Sequence, residues 1–211
     1  MSLLPLVLVG LGALLLSREG GASSSAPGPT PGPSPNPSPG PTPGPSFPGL
    51  STSRIRVIGD SLGVGLTPPL RKILGSVEGI AVGGTRIDTW VELGKRQNIG
   101  GNARVVLVSL GTNDIASGVT AAALHDFVPR LVRQIRGGNS SVGWIGPPTL
   151  PQDGAAFRAA LSLELQAAKV PLFDSAAITF ERSPDRIHAT SAGYASWAAA
   201  VAAWLPKVGL A

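Results

Sequence analysis

Hydrophobic and polar positions follow two different patterns along residues 53–206. Short apolar runs rich in β-branched residues occur without polar alternation, which is typical of parallel strands buried on both faces. Between them lie longer stretches with apolar residues three and four positions apart, which predict helices. The predicted strands are 54–58, 78–82, 104–110, 142–146 and 170–173, and the predicted helices are about 68–75, 87–97, 119–136, 154–168 and 190–205. This alternation predicts a three-layer α/β/α sandwich with a central, mainly parallel five-stranded sheet.

The last predicted helix has an aromatic face. Tyr194, Trp197, Val201 and Trp204 fall on one side at helical spacing, and Pro206 ends the helix. This spacing predicts a stripe packed in the core rather than a surface that binds a ligand.

The start of the chain has a different composition. Residues 3–16 form an uncharged apolar run followed by Arg18, and the run is shorter than the ~20 residues that span a bilayer. Three interpretations fit it: an unusual signal peptide, a short membrane anchor, or an apolar tail packed in a larger, virion-like assembly. The first two predict an extracytoplasmic protein that is membrane-anchored or secreted.

A proline-rich segment follows the apolar run. Residues 21–50 hold 11 of the 21 prolines, one at every odd position from Pro27 to Pro45. Such a segment has few apolar side chains to bury and predicts an extended spacer. The chain is therefore divided into an apolar tail (1–20), a Pro/Gly/Ser-rich linker (21–52) and an α/β domain (53–211).

Composition excludes several kinds of site. The chain has no cysteine, which excludes disulfides, thiolate metal sites and a cysteine nucleophile. The net charge of +5 comes from scattered basic residues that do not interleave with aromatics, so no nucleic-acid partner is expected. No metal-ligand cluster or phosphate-binding loop is apparent, and no cofactor is expected. Oligomeric state is left open.

Polar or glycine-rich turns follow successive predicted strands. They are Gly59-Asp60-Ser61-Leu62, Gly83-Gly84-Thr85, Gly111-Thr112-Asn113-Asp114 and, beyond the last strand, Asp185-Arg186-Ile187-His188. Each alone fits an ordinary turn, and Ser61 alone fits a helix cap. Because the carboxyl ends of parallel strands meet at one edge of a sheet, the four turns are expected to converge.

Together these residues resemble the SGNH (GDSL-type) hydrolase family. GDSL (59–62), GTND (111–114) and DRIHATSAGY (185–194) carry the resemblance, and AVGGTRI (81–87) matches the remaining block more loosely. The resemblance implies a flavodoxin-like fold and metal-independent ester hydrolysis. It makes the G-x-S-x-G match at 59–63, the elbow pattern of another hydrolase architecture, incidental.

The resemblance also implies a role for each residue. Ser61 is the nucleophile, His188 the general base and acid, and Asp185 the carboxylate that orients the imidazole. The oxyanion hole consists of the Ser61 amide, the amide of Gly83 or Gly84, with Gly84 favoured, and the Asn113 side chain.

Neighbouring residues receive secondary assignments. Asp60, Thr112 and Trp144 are candidate substrate-binding residues, with Trp144 shaping one wall of a shallow cleft. Asp60 and Asp114 are also expected to make the two turns rigid by hydrogen bonding. His125 is interpreted as a surface or packing residue, and Asp174 is the alternative to Asp185.

The expected substrate is an O-acylated glycan or a small ester. The residues after Ser61, LGVGLTPPL, are apolar but small, which favours a small acyl group, and an acetyl group on a cell-envelope or surface glycan is the first choice. The alternatives are a lipid or short-chain esterase at a membrane, and a non-catalytic glycan-binding or structural module. Residues 3–16 are the candidate contact with a membrane or particle.

Overall fold

The sheet has the predicted architecture. A computed structural model describes residues 55–210, in which five strands form one sheet in the order β2-β1-β3-β4-β5 with every pairing parallel. The strands are β1 (Ile55–Gly59), β2 (Val77–Gly79), β3 (Val105–Ser109), β4 (Ser141–Ile145) and β5 (Leu172–Phe173). The prediction of an α/β/α sandwich on a parallel five-stranded sheet is confirmed.

Within residues 55–210, six α-helices connect or follow the strands. They are α1 (Ser61–Leu74), α2 (Ile87–Gly94), α3 (Thr112–Ala116), α4 (Ala121–Arg136), α5 (Ala155–Ala167) and α6 (Ser191–Trp204), with 3₁₀ turns at Ser175–Ala177 and Leu205–Val208.

Alternate residues of the central strands face two separate cores. In β1, Val57 packs with α1 and α6, whereas its neighbour Ile58 packs with α2, α4 and α5. In β3, Leu107 and Val108 divide in the same way. Every residue of β3 is buried, which explains why its sequence has no polar alternation.

Helix α1 begins at Ser61 rather than at residue 68, so the predicted start was wrong. Pro68 and Pro69 lie inside the helix, although each proline removes a backbone donor. The helix persists because Leu62, Leu66 and Leu70, four residues apart, bury one continuous face. Ser61 is consequently a helical residue at an N-terminus.

Two other boundaries differ from the prediction. Strand β2 ends at Gly79 instead of residue 82, so residues 80–86 form a loop at the carboxyl edge of the sheet. The short helix α3 over Thr112–Ala116 was predicted only as a turn. It is too short to show helical periodicity in sequence.

Helix α6 packs directly against α1. Trp197 and Val201 are buried in the core, and Tyr194 and Trp204 pack against it, which confirms the predicted stripe. A Cβ on Gly65 would collide with the Tyr194 ring. Glycine at this position therefore sets how closely the two helices approach.

The apolar tail (1–20) and the linker (21–52) lie outside the described residues. Among the helices of residues 55–210, none combines the length and the apolar character needed to cross a bilayer.

We expect Gly59→Ala to lower the free energy of unfolding by more than about 2 kcal/mol. Gly59 has φ +156°, and a Cβ there would collide with the backbone carbonyl of Ser109 on β3. The measurement is urea unfolding of the full-length chain.

Gly137→Ala is the matched control, because Gly137 has φ −58° and an added Cβ would make ordinary contacts. It should remain within about 1 kcal/mol of wild type. An equally small effect for Gly59→Ala would contradict the role assigned to this glycine.

Candidate active site

The structure brings Ser61, His188 and Asp185 together in one hydrogen-bonded row. Ser61 Oγ lies 2.9 Å from His188 Nε2, and His188 Nδ1 lies 2.6 Å from Asp185 Oδ2. With the proton on Nδ1 donated to the carboxylate, Nε2 is the acceptor for the serine hydroxyl. This is the geometry that nucleophile activation requires.

Asp60 sets the start of the helix that carries Ser61. It is the N-cap residue of α1, and its Oδ1 accepts from the Leu62 backbone N–H at 2.9 Å. Its own N–H donates to the Ser109 carbonyl at 3.0 Å. The capping bond and the tie to β3 together fix Ser61 at the carboxyl edge of the sheet.

Asp185 holds the histidine by both backbone and side chain. Its Oδ1 accepts from the N–H groups of Ile187 and His188, each at 2.9 Å, while Oδ2 contacts the imidazole. The hydrogen bond to the His188 side chain, helped by these two N–H groups, lowers the pKa of Asp185 to about 2. Asp185 is therefore ionised wherever His188 acts as a base.

Loop 80–86 approaches Ser61 from β2. An added Cβ on Gly83 would lie 3.8 Å from Ser61 Cβ, whereas one on Gly84 would meet nothing within 4 Å. The geometry therefore favours Gly83 as the glycine nearest the nucleophile. Gly84 has φ +77° and allows the loop to turn.

Thr85 ties this loop to its surroundings and was missed in the sequence. Its hydroxyl lies 3.0 Å from the Gly59 carbonyl oxygen and accepts from Trp90 Nε1 at 3.0 Å. Its carbonyl accepts from Asn113 Nδ2 at 3.0 Å. One amide hydrogen of Asn113 is thus committed to Thr85, which orients the amide. The position after Gly83-Gly84 was the only signal for it.

Two carboxyl groups near the site are buried. Asp114 Oδ1 accepts from the Ile87 N–H at the start of α2, as Asp60 does at the start of α1. Oδ2 of each has no hydrogen-bond partner among the described residues. Burial raises the pKa of Asp60 to about 7 and that of Asp114 to about 6.

Known proteins resemble this chain in structure and not in sequence. No family model and no curated protein matches it. TesA is 18% identical, with a TM-score of 0.63 over 74% of this chain and 99% of that one. The acetyl xylan esterase AlAXEase is 16% identical (TM-score 0.62; 71% and 98%), and a GDSL-like lipase from Bacteroides thetaiotaomicron is 17% identical (TM-score 0.58; 74% and 88%).

The chain has the GDSL-type hydrolase fold. The fold expected from the GDSL, GTND and DRIHATSAGY motifs is confirmed. The similarity lies in the arrangement of the chain, since fewer than one residue in five is shared with these three proteins.

Within this GDSL-type fold, the three candidate substrate-binding residues are buried. Trp144 is fully buried in the core, with its indole N–H donating to the Leu110 carbonyl, so the prediction that it walls a cleft was wrong. Asp60 and Thr112 are 1% and 6% exposed, which leaves little surface for a substrate to contact. Asp60 and Asp114 do form the stabilising hydrogen bonds expected of them.

The other two candidates also have structural explanations. His125 is exposed on α4 and contacts Glu164, which confirms its assignment to the surface. Asp174 caps the 3₁₀ turn at Ser175–Ala177 through the Ala176 N–H, while Asp185 is the carboxylate on His188. Within residues 55–210, no group of three or more His, Cys, Asp or Glu side chains is placed to hold a metal ion.

We expect Asp60→Asn to flatten the pH dependence of stability between about pH 4 and pH 7. The raised pKa means that folded Asp60 keeps a proton that the unfolded chain has lost, so the contribution of Asp60 to stability is fully present below about pH 4 and is lost as pH rises toward 7. Asparagine keeps a capping acceptor and does not ionise. The difference should reach on the order of 2–4 kcal/mol in urea unfolding of the full-length chain at the two pH values.

Asp153→Asn is the control, because Asp153 is an exposed carboxylate that accepts from the Ala155 N–H. The free energy of unfolding of Asp153→Asn should depend on pH as it does in wild type. Because the pKa of Asp114 is also raised, the stability of Asp60→Asn should keep a smaller dependence on pH. A slope for Asp60→Asn equal to that of wild type would overturn the interpretation of Asp60 as a buried, protonated carboxyl.

Proposed function

We propose that this protein is a serine esterase that hydrolyses carboxylic esters through an acyl-serine intermediate. The observation that carries the proposal is the hydrogen-bonded row from Ser61 Oγ through His188 to Asp185, at 2.9 and 2.6 Å. A GDSL-like lipase and an acetyl xylan esterase among the structures of the same fold support it.

The proposed reaction has two steps. Ser61 Oγ attacks the ester carbonyl as His188 Nε2 takes its proton, and the imidazolium then protonates the departing alcohol. In the second step, water attacks the acyl-serine while His188 takes its proton and returns it to Ser61 Oγ, and the carboxylic acid is released. Asp185 stays ionised throughout and stabilises the imidazolium, in keeping with its lowered pKa.

Three donors are proposed for the oxyanion. They are the Ser61 amide at the start of α1, the Gly83 amide, and the Asn113 amide hydrogen that is not committed to Thr85. Each such donor is worth about 3 kcal/mol in the transition state.

The surroundings favour a small acyl group on a large alcohol. His188 and Asp185 are 40% and 46% exposed, so the centre is open to a polymer. Within residues 55–210, the exposed large hydrophobic residues are Val64, Val82 and Leu163, and only the first two belong to segments next to Ser61. Two valines cover little of a long acyl chain, and acetyl on an envelope or surface glycan is our proposed substrate.

An extracytoplasmic location is part of the same proposal. Its support is the sequence alone: the apolar run at 3–16 and the proline-rich linker at 21–52 would hold the esterase domain at a distance from a membrane or particle.

We expect the full-length chain to hydrolyse p-nitrophenyl acetate, with kcat/KM falling at least about tenfold as the acyl chain lengthens to decanoyl. The physical reason is the small apolar surface beside Ser61, since each added methylene contributes binding only where it is buried. The measurement is the steady-state rate across the acyl series.

Ser61→Ala should lower the acetate rate by about 10⁴-fold or more, and Ser162→Ala, an exposed serine on α5, should match wild type. Equal rates for Ser61→Ala and wild type would exclude the esterase and favour a binding module. A preference for the decanoyl ester that depends on Ser61 would contradict the glycan proposal and favour a lipid substrate.

A further inference from the structure

A groove of about 420 Å³ lies behind the loop that carries the histidine. Two of its lining residues, Arg182 and Arg186, come from the same loop as Asp185 and His188, and its far side is the segment at 149–151 that follows β4. We call it the arginine groove. Its floor is apolar and is formed by Leu150, Pro151, Ile178 and Phe180. Its two basic walls are Arg182 and Arg186.

The Arg182 guanidinium is held in place before any ligand arrives. It lies 4.4 Å from the centroid of the Phe180 ring, and Phe180 stacks on buried Trp197 at 4.6 Å. Nη1 donates to the Ile187 carbonyl at 3.1 Å. Nε and Nη2 have no hydrogen-bond partner within the described part of the chain. A guanidinium fixed on one side, with donors left on the other, loses little entropy when it binds an anion.

Arg186 supplies the second positive charge. It has φ +60°, a conformation that an arginine adopts at a cost of about 1 kcal/mol or more. Neither arginine forms an ion pair within residues 55–210. Asp185, which precedes Arg186 in the chain, is committed to His188 and to two backbone N–H groups.

Among its lining residues in the described part of the chain, the groove has two arginines and no carboxylate. A carboxylate on a ligand would therefore meet two guanidinium groups and no lining group of its own charge. The excess positive charge of the whole chain, +5, acts in the same direction by attracting acidic polymers.

We propose that the arginine groove binds a carboxylate-bearing sugar of the substrate, so that the esterase acts on O-acylated acidic polysaccharides. This rests on the proposed function and deepens it, because the groove receives a sugar near the one whose ester meets Ser61. The apolar floor formed by Leu150 and Phe180 accommodates the sugar ring, and the arginines hold its carboxylate.

The test compares two matched polymers, chemically O-acetylated alginate and its carboxyl-reduced counterpart. For the full-length chain at low salt, we expect kcat/KM for acetate release to be roughly fivefold or more higher on the acidic polymer, with the preference lost in high salt. Arg186→Gln should bring the ratio of the two polymers toward one. p-Nitrophenyl acetate, which has no carboxylate, reports any general loss in the variant.

Arg133→Gln is the control, because Arg133 is exposed in the last turn of α4, at the opposite edge of the sheet, and should keep the wild-type ratio. Equal rates on the two polymers, or an unchanged ratio in Arg186→Gln, would overturn the groove assignment. The esterase proposal would still stand in that case if hydrolysis of p-nitrophenyl acetate depended on Ser61.

Binding gives a second readout that needs no turnover. The full-length Ser61→Ala chain should bind the acidic polymer more tightly than the reduced one, and Arg186→Gln should remove the difference. If the esterase proposal itself fails, equal binding of the two polymers still refutes the groove, and selective binding still supports it.

Discussion

The contact between Ser61 Oγ and His188 Nε2 joins residues 127 positions apart, and most of the domain serves to bring them together. Ser61 begins α1, and His188 lies just before α6, so the contact depends on how those two helices pack. Gly65 lets the Tyr194 ring lie against the α1 backbone, and Tyr194 stacks on Trp197 in the core. The catalytic distance is therefore set by core packing and not by the loops alone.

Burial near the site has a cost in stability. Asp60 and Asp114 each use one oxygen to cap or anchor the start of a helix and leave the other buried without a partner among the described residues. A buried carboxyl in this state is stable when protonated, and its ionisation is opposed by the apolar surroundings. The same two groups that position α1 and α2 make the domain less stable as the pH rises toward 7.

Sequence reasoning succeeded where one physical pattern dominates. Unbroken apolar runs identified the parallel strands, and the rule that strand ends converge brought Ser61, Asn113 and the DRIH segment to one edge. It failed where tertiary contacts decide. The helix was predicted to begin at about residue 68, but Leu62, Leu66 and Leu70 bury one continuous face and α1 begins at Ser61. Trp144 lies near the end of the predicted strand 142–146 and was expected to wall a cleft, yet its side chain in β4 is fully buried in the core.

Details of the loop between β2 and α2 could not be predicted from the sequence either. The two adjacent glycines have the same local signal, and only the path of the loop shows that Gly83 lies beside Ser61. Thr85 has no motif of its own, because its importance comes from bonds to β1, α2 and Asn113. The arginine groove likewise combines segments far apart in sequence, so neither arginine stood out among the scattered basic residues.

The central claim is that His188 activates Ser61, and covalent labelling tests it most directly. The full-length chain would be treated with a fluorophosphonate, and the modified residue and its rate of modification would be determined by mass spectrometry. We predict a single modification at Ser61, slowed by at least about 10³-fold in His188→Ala. Modification of another residue, or an equal rate at Ser61 without the imidazole, would contradict the account.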